Sequence, residues 1–304
     1  MSAHPTPLPD EAPRDLVLTG ERTLPGIADE RYWFLRHVVA YRLAQARIRA
    51  THAERDAAHA GPDAAHAGRD APRTEHGPAR SAGPTTSLDP APLLALDAGC
   101  GEGYGLALLR DAGADRVLGV DLDAATVAHA RQRYGGPGTG IEVVVAELRE
   151  IPLPDDAADV TVSFQVIEHL HDIPGYLVEL QRVTAAGGEV LLATPNRLTF
   201  TPDADTPVNP FHTVEFTAAE LTRLLTRAGF EVAEVLGLHH AGALAAAERE
   251  HGVVLPRLLG AAPPEDWPVW ARTLAHRTGE DDFTWRSDHL DASLDLLVRC
   301  RVRP

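Results

Sequence analysis

Residues 97–105 read Asp-Ala-Gly-Cys-Gly-Glu-Gly-Tyr-Gly. An apolar run, Leu93 to Leu96, leads into them with strand character, and Leu106 to Ala112 follows with helical character. A glycine-rich turn that leaves a strand and opens a helix is where a doubly wound sheet meets its ligand. Backbone without Cβ atoms lets that ligand come close. Gly99, Gly101, Gly103 and Gly105 fall on every second position. The dinucleotide fingerprint needs G-x-G-x-x-G, but its sixth place is Tyr104 counted from Gly99 and Leu106 counted from Gly101. Neither register fits.

Outward from this turn, strands are expected at 93–99, 116–123, 141–147, 158–166, 188–196, 230–238 and 294–302. Helical patterns at 106–112, 124–134, 174–184 and 218–228 alternate with them. The expected fold is α/β, a seven-stranded and mostly parallel Rossmann-like sheet with helices on both faces. Residues 239–290 break the rhythm and read as an inserted cap facing the substrate. Residues 1–18 read as a disordered tail, and 19–50 as a helical segment over the ligand site, with its helix from about Asp29 to Arg49. Residues 51–90 hold almost no large apolar side chain and repeat Ala-His-Ala-Gly, so they read as a disordered insertion before the ligand-binding domain at 91–304.

The formal net charge of −16 argues against a protein that tracks nucleic-acid phosphates. All basic residues are arginine, a bias that fits a high-GC coding sequence such as an actinobacterial one. No run approaches eighteen apolar residues, so no membrane span is expected. The first residues are Pro-rich and acidic with no apolar stretch, which makes a cytoplasmic location the default. Cys100 and Cys300 suit neither a disulfide framework nor metal-ligand spacing.

Two further strand tips point to a nucleoside. Asp121 ends the second strand, where a carboxylate accepts both hydroxyls of a ribose. Leu122 then packs on a flat base, and Glu147, followed by Leu148, stands at the third strand tip to meet an exocyclic amino group. Each acid alone reads as a solvated strand end. Three consecutive strand tips in register read as a site.

The stretch from Leu93 to Phe230 resembles the class I S-adenosylmethionine (SAM)-dependent methyltransferases. "LDAGCGEGYG" (96–105) looks like their first motif, an acid followed by G-x-G-x-G, and "FQVIEHL" (164–170) looks like their fourth-strand motif. A narrower resemblance rests on "LTGERTLPGIADERYWFLRH" (18–37), "TPNRLTFTPDADTPVNPFHTVEF" (194–216) and "SLDLL" (293–297). These are similar to actinobacterial methyltransferases tied to methylglucose lipopolysaccharide, in which SAM methylates a sugar hydroxyl, assigned as the glucose 6-position, of a cytoplasmic polysaccharide. The resemblance implies SAM as cofactor, held by Asp97, Gly99, Gly101, Gly103, Asp121, Leu122, Glu147 and Leu148, with Gln165 near its amino-acid end. Arg36 is expected to reach the methionyl carboxylate.

An alkyl hydroxyl needs a base within hydrogen-bond reach as the new bond forms. His169, after the fourth strand, and His212, in a loop flanked by Pro207 and Pro210 after the fifth, are the candidates. Packing or loop-holding roles remain open for both. Residues 165–169 are similar to the Glu-x-x-Glu-His magnesium run of ubiquinone-pathway O-methyltransferases, but Gln165 replaces the first acid, so no metal site is expected. The competing readings are a quinone or secondary-metabolite O-methyltransferase and a SAM-binding protein without turnover. Trp267, Trp270, Asp281, Asp282 and Trp285 in 239–290 favour a sugar acceptor, which wants polar groups and a stacking aromatic.

Overall fold

The computed structural model describes residues 23–59, 91–202, 204 and 206–303. The tail expected at 1–18 and positions 60–90 of the expected insertion lie outside those residues. The described strands are β1 (Leu94–Ala98), β2 (Arg116–Asp121), β3 (Ile141–Val145), β4 (Ala158–Phe164), β5 (Thr184–Pro195), β6 (Glu231–His240), β7 (Phe283–Arg286) and β8 (Asp295–Arg301). They form one sheet in the order β3-β2-β1-β4-β5-β8-β6-β7. The first five pair in parallel, while β8 lies antiparallel between β5 and β6. Chain order reverses between β1 and β4, so the ligand crevice of this sheet belongs at their carboxyl ends.

The sheet has eight strands rather than the expected seven. The addition, β7, pairs antiparallel with the end of β6, from Gly237↔Arg286 to His240↔Phe283. Its four residues, Phe-Thr-Trp-Arg, are too few to show a period in sequence.

α1 (Arg31–His59) runs on through residues 51–59, which were expected to be disordered. Polar contacts fix this extension: His52 Nε2 meets the Gly113 carbonyl, and Arg55 pairs with Asp159. Such polar anchors hold a segment that has almost no large apolar side chains. α2 (Tyr104–Asp111) and α3 (Ala124–Arg133) pack with α1 on one face of the sheet. α4 (Ile173–Val183) and α6 (Ala218–Arg227) cover the other, with the short α5 (Arg197–Phe200) between them in sequence. α6 opens with a reciprocal capping box between Thr217 and Glu220.

Residues 239–290 seat α1. They hold α7 (Gly242–His251), α8 (Leu255–Gly260) and α9 (Val269–Arg277). Arg31 Nε donates to the Thr278 carbonyl at 2.7 Å, Arg42 pairs with Glu280 at 2.8 Å, and Trp285 Nε1 donates to the Val39 carbonyl at 3.2 Å. Trp267 is buried, its Nε1 donating to the carbonyls of Leu259 and Ala262, and Trp270 stacks on His251. The three tryptophans expected to face substrate are therefore packing and anchoring residues.

α1 and α2 approach so closely at Gly105 that a Cβ there would overlap the Tyr41 ring. Gly105→Ala is expected to lower stability by about 1–3 kcal/mol. Urea denaturation should show a lower midpoint with an unchanged slope.

Candidate active site

The turn after β1 is tied to β2. The amides of Gly99 and Cys100 donate to the Val120 carbonyl at 2.8 and 2.9 Å, and the Gly101 amide donates to Asp121 Oδ2 at 3.0 Å. Gly99 has φ +92°, and a Cβ on it would meet the Val166 side chain. Only glycine fits there. Above this turn lies a cavity of about 620 Å³.

At one end the cavity wall carries Asp121, Leu122, Glu147 and Leu148, bringing the expected second and third strand tips together. Asp121 Oδ1 accepts from the Asp123 amide at 3.0 Å, so the carboxylate both faces the cavity and fixes the turn beside it. Leu122 is 65 % exposed, an apolar side chain placed for a flat ring to cover. Glu147 is half-exposed and pairs with Arg149 at 2.8 Å, a wall residue that the strand-tip pattern did not single out. Glu102 also lines the cavity, buried with the Tyr134 hydroxyl 3.1 Å away, and burial raises its carboxyl above the usual range.

Asp97 is wholly buried behind Gly99. Tyr41 donates to its Oδ2 at 3.0 Å, while Oδ1 accepts no hydrogen bond among the described residues. Burial pushes this carboxyl up to about 7, against the pull of the Tyr41 hydrogen bond. An uncompensated buried oxygen of this kind suits a site that receives a cationic ligand such as an amino acid's ammonium group. Gln165 lines the same cavity with φ +57°, unusual for a residue with a side chain.

Arg36 does not reach the cavity. Its guanidinium pairs with Asp295 through Nε at 3.0 Å and Nη2 at 2.5 Å, both side chains buried, between the rings of Trp33 and Phe200. The neighbouring position of α1 does reach it. His37 and Tyr41, one helical turn apart and so on one face, both line the wall. Burial holds the His37 imidazole down at about 3, hence neutral, and its Nδ1 lies 3.1 Å from Thr23 Oγ1.

The two candidate histidines meet. The rings of His169 and His212 lie edge to face, 4.9 Å between centroids. His169 is on the cavity wall, and His212 is not among the wall residues. His169 Nδ1 is 3.1 Å from the Phe211 carbonyl, and His212 Nδ1 is 2.7 Å from the buried Glu215. In their neutral forms both rings thus carry the proton on Nδ1 and a lone pair on Nε2. Glu215, three residues beyond His212, was missed because its place in the loop becomes meaningful only once the chain folds back. Glu168 is wholly buried, and burial lifts its carboxyl to about 7.

Residues 96–192 match the methyltransferase domain family. Across 97 % of the chain the sequence is 42 % identical to a protein of Mycolicibacterium smegmatis named "probable S-adenosylmethionine-dependent methyltransferase", covering 99 % of that protein. The chain belongs to the S-adenosylmethionine-dependent methyltransferases. A similarly named protein of Mycobacterium tuberculosis is 38 % identical over 96 % of the chain and 92 % of its own length. A solved SAM-dependent methyltransferase from Mesorhizobium loti covers 69 % of the chain and 91 % of its own, at 20 % identity and a TM-score of 0.46. Among the described residues of this methyltransferase, no helix is long and apolar enough to cross a membrane.

Removing Arg36 strands a buried carboxylate, so Arg36→Ala is expected to cost about 3–5 kcal/mol of stability. Its soluble fraction should bind SAM with unchanged affinity by calorimetry, whereas His37→Ala should weaken binding.

Asp97 binds its proton more tightly folded than unfolded, where its value is 3.8. Its contribution to stability is therefore full below about pH 4 and is lost as pH rises towards 7. Asp97→Asn should raise the melting temperature at pH 8 more than at pH 4 while weakening SAM binding.

Proposed function

We propose that this methyltransferase acts on a sugar hydroxyl of a cytoplasmic polysaccharide or glycolipid precursor of the methylglucose type. The His169–His212 pair carries the reading, because it puts two imidazoles beside the post-β4 turn, on the far side of the loop from Asp121 and Glu147. SAM supplies an electrophilic methyl group on a sulfonium. The protein's work is to hold, orient and dry the site.

Bound SAM would be held by Asp121 at its ribose hydroxyls, by Leu122 and Leu148 against its adenine, and by Glu147 at its amino group, all four residues being on the cavity wall. Gly99 and Gly101, both on the cavity wall, let the backbone come close, while Gln165 and the buried Asp97 serve the amino-acid end; Gly103 lies off the wall, where a Cβ would meet Ala130 and Tyr134 of α3 and its flank. The acceptor hydroxyl loses its proton at the His169–His212 pair, where Phe211 and Glu215 hold the rings.

Polar side chains converge where the acceptor enters: His169, His171, Asp172 and Gln165 all line that wall. The Phe211 ring, 45 % exposed and in the segment that orients His169, takes the stacking role expected of the tryptophans. The resemblance of 18–37 and 194–216 to methylglucose-type enzymes points the same way.

Incubation with methyl-labelled SAM and either partly methylated glucose oligosaccharides or phenols and quinones tests the acceptor. Label is expected in a sugar methyl ether. Label only on phenols or quinones would overturn the sugar, and SAM binding without transfer to any acceptor would overturn turnover itself. His169→Ala should lower kcat by about 10²–10⁴-fold with SAM affinity unchanged.

A further inference from the structure

The pairing of His169 and His212 brings in a third group. One donor atom from each of Glu168, His169 and His212 lies within 4.8 Å of the others. Glu168 is fully buried; its Oε2 accepts from Thr194 Oγ1 at 2.9 Å, but its Oε1 has no partner among the described residues. A buried carboxylate oxygen left bare is costly unless a cation meets it. The outer contacts are also in place. Glu215 holds His212 Nδ1 and the Phe211 carbonyl holds His169 Nδ1, the arrangement that aims the other ring nitrogen of a metal-binding histidine.

We propose that Glu168, His169 and His212 bind one divalent transition-metal ion of the zinc and cobalt class. Residues 165–169 by themselves lack one carboxylate of a magnesium run, so no metal is expected from that segment alone. The third donor instead comes from the loop after β5, and it is an imidazole. Two imidazoles and one carboxylate suit borderline cations, whereas magnesium and calcium favour oxygen donors. Three protein donors leave an open position, and His169 turns it towards the cavity. The His212 Nε2 lone pair now faces Asn209 Nδ2 at 3.0 Å, so the ion displaces one amide hydrogen bond from an adaptable loop.

The site's role, unlike its existence, rests on the hydroxyl-methylation reading. There the ion holds the acceptor hydroxyl and makes its proton easier to lose. With both Nε2 lone pairs on the ion, the histidines serve as its ligands in place of the metal-free base, and the proton leaves to water as the oxygen takes the methyl group from the sulfonium, releasing S-adenosylhomocysteine.

Titration of chelator-treated full-length protein with Co²⁺, without SAM or acceptor, tests the site apart from methyl transfer. Visible d–d bands are expected to saturate at one Co²⁺ per chain and to be erased by Zn²⁺ but not by Mg²⁺. The bands should be lost in Glu168→Gln and in His169→Gln, a wall substitution whose folding is checked by its melting temperature and SAM affinity. Glu215→Gln should weaken Co²⁺ binding about 10–100-fold. Absence of bands in the wild type, or bands that persist in both ligand variants, would overturn the site even if methyl transfer to a sugar stands.

Discussion

The rest of the molecule depends on how closely backbone must pass around the turn after β1. Gly99 has no room for a Cβ against Val166, and Gly105 has none against Tyr41. These contacts bring β4 and α1 down onto the turn, which β2 holds from beneath through the Val120 carbonyl and the Asp121 carboxylate. Because Tyr41 sits on Gly105, its hydroxyl reaches Asp97; because Val166 sits on Gly99, the segment leading to His169 leaves β4 along the same cavity. Both ends of the cavity are thus positioned by two missing side chains.

Closing the site this tightly buries charge. Asp97 and Glu168 are both wholly enclosed, with values displaced upward to about 7, and each keeps one oxygen without a partner. Arg36 and Asp295 are buried too, but as a pair. The difference separates structure from site. A paired buried charge keeps α1 in register with β8, whereas an unpaired one destabilises the fold and marks a candidate binding site.

Much of this was legible in the sequence where the signal is local. The turn at 97–105, the strand tips at Asp121 and Glu147, and the alternating strands and helices rest on periodicity and on glycine's backbone freedom, and the α/β sheet is as expected. Other features depend on tertiary contacts. β7 is a strand because the end of β6 is there to pair with it. The second half of α1 is held by His52 and Arg55 against distant partners. Arg36 and His37 are adjacent in sequence, yet a helix turns them about 100° apart, so one faces Asp295 and the other the cavity. No local pattern distinguishes them. The same holds for Glu168, His169 and His212, whose meeting requires the loop after β5 to return over the end of β4.

On the proposed reading, the alternating-glycine turn selects the sulfonium cofactor's nucleoside over a dinucleotide. Calorimetric titration of the protein with S-adenosylhomocysteine and, separately, with NAD⁺ tests it most directly. One S-adenosylhomocysteine is expected to bind per chain, with an affinity lowered by Asp121→Ala, and NAD⁺ is expected to give no heat. Saturable binding of NAD⁺ with none of S-adenosylhomocysteine would contradict it.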